Sequence, residues 1–266
     1  MFASQVEYSA HTFENLTDLG LSLKHPDLLE GTIQFPLRLL APTLQILRIA
    51  DWSGAFDLFA LFNTPDSSVP FPNLKSLILD FADPTTDLLP IPSLQSFYGF
   101  ILAHSCRLEH LHMDLTTSFY PVHVQCVGEW LDELVNTNIQ FPSLQTLLLF
   151  PSPSQIGLFS FLTLIQRTVP TLSSLTIPPR YWSSEEVDQL LDVLTEVQVH
   201  GIKERQSKLK TLRIHVRHLS VPLLDLLARK LPQLESLTLI ILEMQVRFFP
   251  IFNSQLCINV LLGFIL

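Results

Sequence analysis

Residues 71–79 read FPNLKSLIL and contain the pattern Leu-x-x-Leu-x-Leu, on which the interpretation of the whole chain depends. Eight copies of this pattern, some with Ile or Met in the last position, occur along the chain. They begin at Leu16, Leu44, Leu74, Leu108, Leu144, Leu172, Leu209 and Leu234. Successive copies are 25 to 37 residues apart, which leaves room for one short strand and one helix. The sequence therefore predicts a series of similar structural units.

The spacing inside each copy predicts a strand with one buried side. The last two apolar residues are two positions apart, so they lie on the same side of an extended segment. A single strand and helix cannot bury this apolar row, whereas stacked units form one continuous core beneath a parallel sheet. We expect an α/β leucine-rich repeat solenoid, a horseshoe with parallel strands on the concave face and helices on the convex face.

The segments between the copies carry helix signals. From Ser183 the run Ser-Ser-Glu-Glu is a capping box, and an apolar stripe with helical spacing follows it as far as Val197, before Gly201 as a stop. Similar stripes follow Ser93 and Ser220. Pro72, Pro142, Pro170 and Pro232 each lie two residues before the first leucine of a copy, where a proline ends a helix and favours an extended segment.

Composition narrows the classes of partner and the compartment. The 266-residue chain has 16 basic and 25 acidic residues, a net charge of -9, so we expect neither nucleic acid nor a membrane as its partner. Its three cysteines are scattered, and its N-terminus lacks the basic start and apolar run of a signal peptide. We therefore expect a cytoplasmic or nuclear protein.

Three regions are predicted along the chain. Residues 1–12 form a poorly ordered N-terminal segment, residues 13–245 a repeat domain of about eight repeats, and residues 246–266 an atypical apolar tail. The tail is interpreted as a degenerate last helix or a mispredicted exon, because polar residues and Pro250 interrupt a run close to the roughly 20 residues of a membrane span. We expect its removal to improve solubility unless it packs on the core.

The repeat pattern, the Phe-Pro-x-Leu-x-x-Leu starts at Phe71 and Phe141 and the irregular steps resemble the leucine-rich half of fungal, basidiomycete-type F-box proteins. The resemblance covers roughly residues 13–242. In that family an N-terminal F-box binds a Skp-type adaptor of a cullin ubiquitin ligase, and the repeats hold the substrate. Residues 1–15 contain no F-box helices, so the resemblance implies the substrate-holding role here, and a Skp-type adaptor only if an F-box exists upstream.

Catalytic motifs are not found in this sequence. It lacks a Gly-x-Ser-x-Gly elbow, a glycine-rich phosphate loop, His-Glu-x-x-His and Cys-x-x-Cys. We expect a non-enzyme without a cofactor. His110 and His112, with Asp80 and Asp114 nearby, could contact a metal ion, but a zinc site requires third and fourth fixed ligands, so no metal is predicted.

The candidate binding residues lie at the third, fifth and seventh positions of the copies, on the sheet face opposite the leucines. We predict a partner-binding set of Asp80, His110, His112, Asp114, Leu148, Phe150, Arg213 and His215. Its acidic and histidine residues beside an apolar pair suit a protein or peptide with basic groups, whose affinity would fall below about pH 6.5 as histidines gain charge. The alternative is that these residues are merely tolerated and that loops or the rim bind.

Two functions from different classes are compatible with the sequence. The first is a protein-interaction scaffold, which by resemblance would be the substrate-recognition part of an F-box-type ubiquitin ligase receptor. The second is a regulatory or structural leucine-rich repeat binder, such as an enzyme inhibitor, unconnected to ubiquitin. A repeat scaffold does not by itself name its ligand.

Overall fold

The structure is a computed structural model that describes part of the chain. The described residues are 15–23, 42–51, 71–81, 99–114, 132–137, 139–149, 158–195, 197–199, 202–204, 207–243 and 256–260. Within them the protein is an α/β structure with one open nine-stranded sheet, a two-stranded ribbon and a small number of helices.

The strands of the large sheet follow the repeat copies. They are β1 (Asp18–Leu23), β2 (Ile46–Asp51), β3 (Ser76–Phe81), β4 (His110–Asp114), β5 (Thr146–Leu149), β6 (Ser174–Trp182), β9 (Thr211–His218), β10 (Ser236–Glu243) and β11 (Leu256–Val260). The ribbon consists of β7 (Val197–Val199) and β8 (Ile202–Glu204). The helices are α1 (Leu158–Thr168), α2 (Ser184–Thr195) and α3 (Val221–Lys230), and shorter helical segments cover 99–104 and 132–136.

Strand order in the large sheet is the order of the chain, with only the β7–β8 ribbon left out. Every neighbouring pair from β1 to β10 is parallel, and β11 alone among the described strands of this sheet pairs antiparallel, with β10. Equivalent positions of the copies lie opposite one another, for example Leu47, Leu77 and Leu111. The predicted α/β class and sequential parallel sheet are therefore confirmed.

The apolar residues of the copies form the core. From the second copy onward, the three apolar residues of each copy are at most 3% exposed. In the first copy Leu19 and Leu21 are only partly buried, because β1 has β2 on one side and no other described strand on its other side. Stacking therefore buries each unit, as expected for a repeat architecture.

One backbone carbonyl links each unit to the next. The oxygen of Gln45 accepts hydrogen bonds from the N–H groups of Lys75 at 2.8 Å and Ser76 at 2.9 Å. The oxygen of Lys75 accepts in the same way from Glu109 and His110, and the same pair of hydrogen bonds recurs at each step up to β10. Since these groups lie at the beginning of the strands, they set the register at each strand's start, whatever the length of the segment between copies.

A second row of hydrogen bonds lies in the turns before the strands. The Asn73 side chain donates to the carbonyl of Pro42 at 2.6 Å, and Arg107 donates to the carbonyl of Pro72 at 2.5 Å. Ser143 makes the equivalent bond to the preceding unit. A proline two residues before the first leucine thus offers its carbonyl to the next unit, in addition to its predicted role in starting the strand.

The helix starts predicted at Ser183 and Ser220 are confirmed, whereas the start predicted after Ser93 lies outside the described residues. Ser183 and Glu186 form the reciprocal capping box of α2, with bonds of 2.9 and 3.3 Å, and Ser220 caps α3. The prediction that α2 reaches Val197 is wrong, because α2 ends at Thr195 and Val197 begins β7. The alternating valines of residues 197–199 favour a strand, and Gly201 lies outside the described residues.

Part of the predicted tail belongs to the sheet. Residues 256–260 form β11, which pairs with β10 from Leu237–Val260 to Ile241–Leu256, so these residues do not form the expected last helix. Along the part of the chain that the structure describes, no helix combines the length and the apolar character needed to cross a membrane. The predicted N-terminal segment 1–12 lies outside the described residues.

Substitution of a core leucine should destabilise the protein far more than substitution of an exposed residue. Leu147 in β5 is 1% exposed, so Leu147→Ala should lower the free energy of unfolding by about 2 to 5 kcal/mol. Lys75 is exposed and pairs with Glu109 at 2.9 Å near the surface, so Lys75→Ala should cost less than about 1 kcal/mol. Urea denaturation measures both, and equal costs would contradict the assigned register.

Removal of the tail should expose the edge of β10. We expect a chain ending at residue 245 to self-associate, because β10 then presents unpaired backbone groups beside the apolar Ile240 and Ile241. The matched control is deletion of residues 261–266, which leaves β11 in place. Size-exclusion chromatography with light scattering distinguishes the two. If both truncated chains are monomeric and equally stable, the pairing of β11 with β10 does not protect this edge.

Candidate functional site

The sheet face opposite the leucine core, here called the non-core face, carries the predicted binding residues in rows across the strands. The structure places Asp80, His112, Asp114 and Leu148 on three adjacent strands, about 4.8 Å apart from one strand to the next. Asp80 of β3 lies opposite Asp114 of β4. We call these four residues and Ile78 the central patch. The row that contains Ile78 joins the fifth positions of the copies, which align as Arg48, Ile78, His112, Leu148, Thr176 and Arg213.

Electrostatic interactions within the central patch couple its titrating groups. Burial and then the neighbouring Asp114 carboxylate raise the pKa of Asp80, whereas His112 opposes this shift. Burial lowers the pKa of His112, although the Asp114 and Asp80 carboxylates work in the opposite direction. At neutral pH His112 is therefore uncharged, and the central patch presents acidic groups beside the apolar side chains of Ile78 and Leu148.

Of the two other residues predicted beside the central patch, the structure describes only His110. His110 lies two residues before His112 on the same face, half-buried between its strand neighbours Ser76 and Thr146. Phe150, predicted as the second apolar anchor, lies outside the described residues. The apolar part of the central patch is therefore formed by Leu148 and by Ile78, which pairs with His112 from the other side and was not among the predicted residues.

Arg213 and His215 lie apart from the central patch. Strand β6 separates β9 from β5, so Thr176 stands between Leu148 and Arg213. His215 is 8% exposed, and the ring of Tyr181 meets it edge-on with 5.7 Å between ring centres. The predicted set thus divides into the central patch with His110 and a separate group around His215.

The sequence-based register fails at one place on this face. It put Pro178 in the row of His215, but the pairing of β6 with β9 shifts between Ile177 and Trp182, which brings Tyr181 to His215 instead. The signal was present in the sequence, because Pro178 and Pro179 cannot donate to a regular ladder and mark an irregular strand. Tyr181 is the functional candidate that the sequence pattern missed.

Metal binding gains no support from the geometry of this face. Among the residues that the structure describes, no group of three or more His, Cys, Asp or Glu side chains is placed to hold a metal ion. His110 and His112 therefore lack the further ligands that a zinc site requires within the described residues.

At the N-terminal edge of the sheet, Arg48 and Asp18 form an exposed ion pair at 3.2 Å between β1 and β2.

The fold and this face define the class of protein: an α/β protein with a sequentially ordered, mainly parallel sheet and an ordered row of side chains across it. No protein-family model matches the chain, and no curated protein matches it either. The residues of the face are therefore the basis for a functional proposal.

The buried His215 should make folding stability depend on pH. Burial and then the Arg213 charge lower its pKa to about 4, from the ordinary 6.5 that it has when unfolded. Its flanking residues are Tyr181 on β6, Arg213 and Arg217 on β9 and the uncharged Ile240 on β10. As pH falls from 6.5 to 4 the unfolded chain binds a proton first, so stability is complete above 6.5 and declines across this window.

Replacement of His215 tests this linkage. We expect the free energy of unfolding of the wild type, relative to His215→Gln, to drop by on the order of 2 kcal/mol between about pH 7 and pH 4. Urea denaturation of both proteins at several pH values gives the difference directly. A difference that does not change with pH would show that His215 titrates normally in the folded protein.

Proposed function

We propose that this chain is a leucine-rich repeat solenoid that acts as a non-enzymatic scaffold and binds a protein partner on its non-core face. The observation that carries the proposal is the central patch itself, in which Ile78, His112 and Leu148 align beside the Asp80–Asp114 pair. In a leucine-rich repeat solenoid this face is the concave one. Such a face offers a partner many side chains held in register by a rigid sheet.

Two structural features support the repeat class. The third position of every copy begins a strand, from Asp18 in the first copy to Ser236 in the last. The carbonyl that accepts two N–H groups recurs from unit to unit with distances between 2.7 and 3.0 Å. In an irregular leucine-rich repeat, the units must connect in the same way although the number of residues between them differs.

The chemistry of the central patch favours a basic partner residue next to an apolar one. The carboxylates of Asp80 and Asp114 lie on neighbouring strands, and both raise the pKa of His112 against the effect of its burial. A Lys or Arg side chain placed there would relieve the repulsion between the two carboxylates, which contributes to the raised pKa of Asp80. Leu148 and Ile78 would hold an aliphatic side chain beside it.

The link to ubiquitin is the finer part of the proposal and rests on the resemblance of the repeats to those of fungal F-box proteins. In that case the bound partner is a substrate, and a Skp-type adaptor co-purifies with the full-length gene product. The alternative is a regulatory binder unconnected to ubiquitin. It is favoured if a partner binds the central patch but neither an upstream F-box nor the adaptor is found with this protein.

Loss of the two carboxylates should weaken the binding of basic peptides. We would select peptides from a random display library on the wild type and expect Lys or Arg next to an aliphatic residue. The double substitution Asp80→Asn, Asp114→Asn should raise the dissociation constant of the selected peptides by about tenfold or more. Asp225→Asn, on the exposed side of α3, is the matched control and should leave the dissociation constant unchanged. Equal binding by all three proteins would remove the central patch from consideration.

The affinity for such a peptide should also fall in acid. The raised pKa of Asp80 means that its negative charge is lost at a higher pH than for an ordinary carboxyl, and His112 gains a positive charge only below the ordinary 6.5. Both changes disfavour a cationic ligand, so we expect the affinity to fall at a lower pH than the value of about 6.5 expected from the histidines alone. Isothermal titration from about pH 7.5 to 4.5 covers this window, and the Asn double variant should show a flatter profile.

A further inference from the structure

We propose that Arg213, His215 and Arg217 form a second binding site on the non-core face, which takes a carboxylate from an acidic segment of a protein partner. The three residues alternate along β9, so they project from the same face of the sheet. This site goes beyond the proposed function, because it has the opposite charge preference from the central patch and lies on a different strand.

Two exposed arginines flank a buried histidine. Arg213 and Arg217 are exposed, whereas His215 between them is 8% exposed. The strand places the two arginine Cα atoms about 13 Å apart, and both side chains are long enough to lean over His215. Among the described residues neither guanidinium is ion-paired, although the sequence carries a net charge of -9. Two such arginines on one strand face of an acidic protein indicate a surface suited to an anion.

Arg217 is held in place by the irregular part of β6. Its Nε donates to the carbonyl of Tyr181 at 3.1 Å, which leaves the terminal nitrogens of the guanidinium for a ligand. The Tyr181 ring packs edge-on against His215, so the same residue fixes both the arginine and the imidazole. A guanidinium oriented before binding loses less conformational freedom when it forms a bidentate contact with a carboxylate.

His215 supplies a neutral donor to the same site. Its Nδ1 is buried and, among the described residues, has no hydrogen-bond partner. A buried N–H without an acceptor is rarer in proteins than an unpaired acceptor, so the proton belongs on Nε2, the ring nitrogen left to meet a ligand. Burial and the Arg213 charge lower the pKa of His215 to about 4, which keeps the ring neutral at neutral pH.

The paired neighbours of Arg213 and His215 carry no charge that would repel a carboxylate. The β10 neighbours of Arg213 and His215 are Thr238 and Ile240, and the β6 neighbour of Arg213 is Thr176, none of which is charged. Two guanidinium groups and one neutral N–H can serve both oxygens of a planar carboxylate. By contrast, Lys210, immediately before β9, is already paired with Glu235 at 2.8 Å.

The test uses a labelled peptide of alternating Glu and Ala as the probe, with the Gln analogue and a phosphoserine analogue at equal ionic strength. We expect the Glu peptide to bind the wild type, to shift the His215 ring signals in NMR spectra and to raise the pKa of His215 above about 4, because a nearby anion favours the imidazolium. The Gln peptide should produce none of these three effects. Arg213→Gln with Arg217→Gln should weaken binding by about tenfold or more, as expected for loss of charge-assisted contacts.

Two control proteins isolate the contribution of this site. Arg229→Gln removes an exposed arginine on α3 that pairs with Asp225, and it should bind the Glu peptide as the wild type does. The Asp80→Asn, Asp114→Asn protein should also retain this binding, so failure of the central patch and failure of this site are distinguishable. Equal binding by the arginine double variant, absence of any shift at His215, or binding of the phosphoserine peptide alone would each overturn the proposal.

Discussion

The structure depends on one backbone interaction, the acceptance of two N–H groups by a single carbonyl oxygen between consecutive units. This contact lies at the start of each strand and is made by the residue after the first leucine, for example Gln45 to Lys75 and Ser76. Because it is formed by backbone atoms, it tolerates any side chain at that position except proline, which lacks the N–H that bonds to the preceding unit. It also sets the register in the same way whatever the length of the intervening segment. Steps of 25 to 37 residues therefore give one continuous sheet.

Fixed register has a chemical consequence on both faces of the sheet. On one face it stacks leucine on leucine, as in the row of Leu77, Leu111 and Leu147, and so creates the core. On the other it converts residues more than 30 positions apart into neighbours, such as Asp80 and Asp114. Strand β3 of the acidic central patch lies four strands from β9 and its basic site, about 19 Å across the sheet, which roughly six residues of an extended segment would span. Both patches arise from the same register, although nothing in the local sequence relates them.

The departures from the sequence-based expectation have local physical causes. Val197 continues the helical spacing of α2, but the valines at 197 and 199 favour a strand, and residues 197–199 pair in the β7–β8 ribbon. Pro178 and Pro179 lack the N–H groups needed for a regular ladder, so the register of β6 slips and Tyr181 takes the place expected for Pro178. Residues 256–260 have no repeat spacing, and their pairing along β10 depends on an edge that another part of the chain creates.

The sequence by itself determined the features that arise from short-range spacing: the repeat unit, the leucines of the core, the capping of α2 and α3, and the alignment of Asp80 with Asp114 and of His112 with Leu148. These follow from the two-residue period of a strand and the 3.6-residue period of a helix. Only the tertiary structure decided the contact of Tyr181 with His215, the bond from Arg217 to the Tyr181 carbonyl and the antiparallel position of β11. Each of these depends on how distant segments meet after a break in the repeat, where periodicity carries no information.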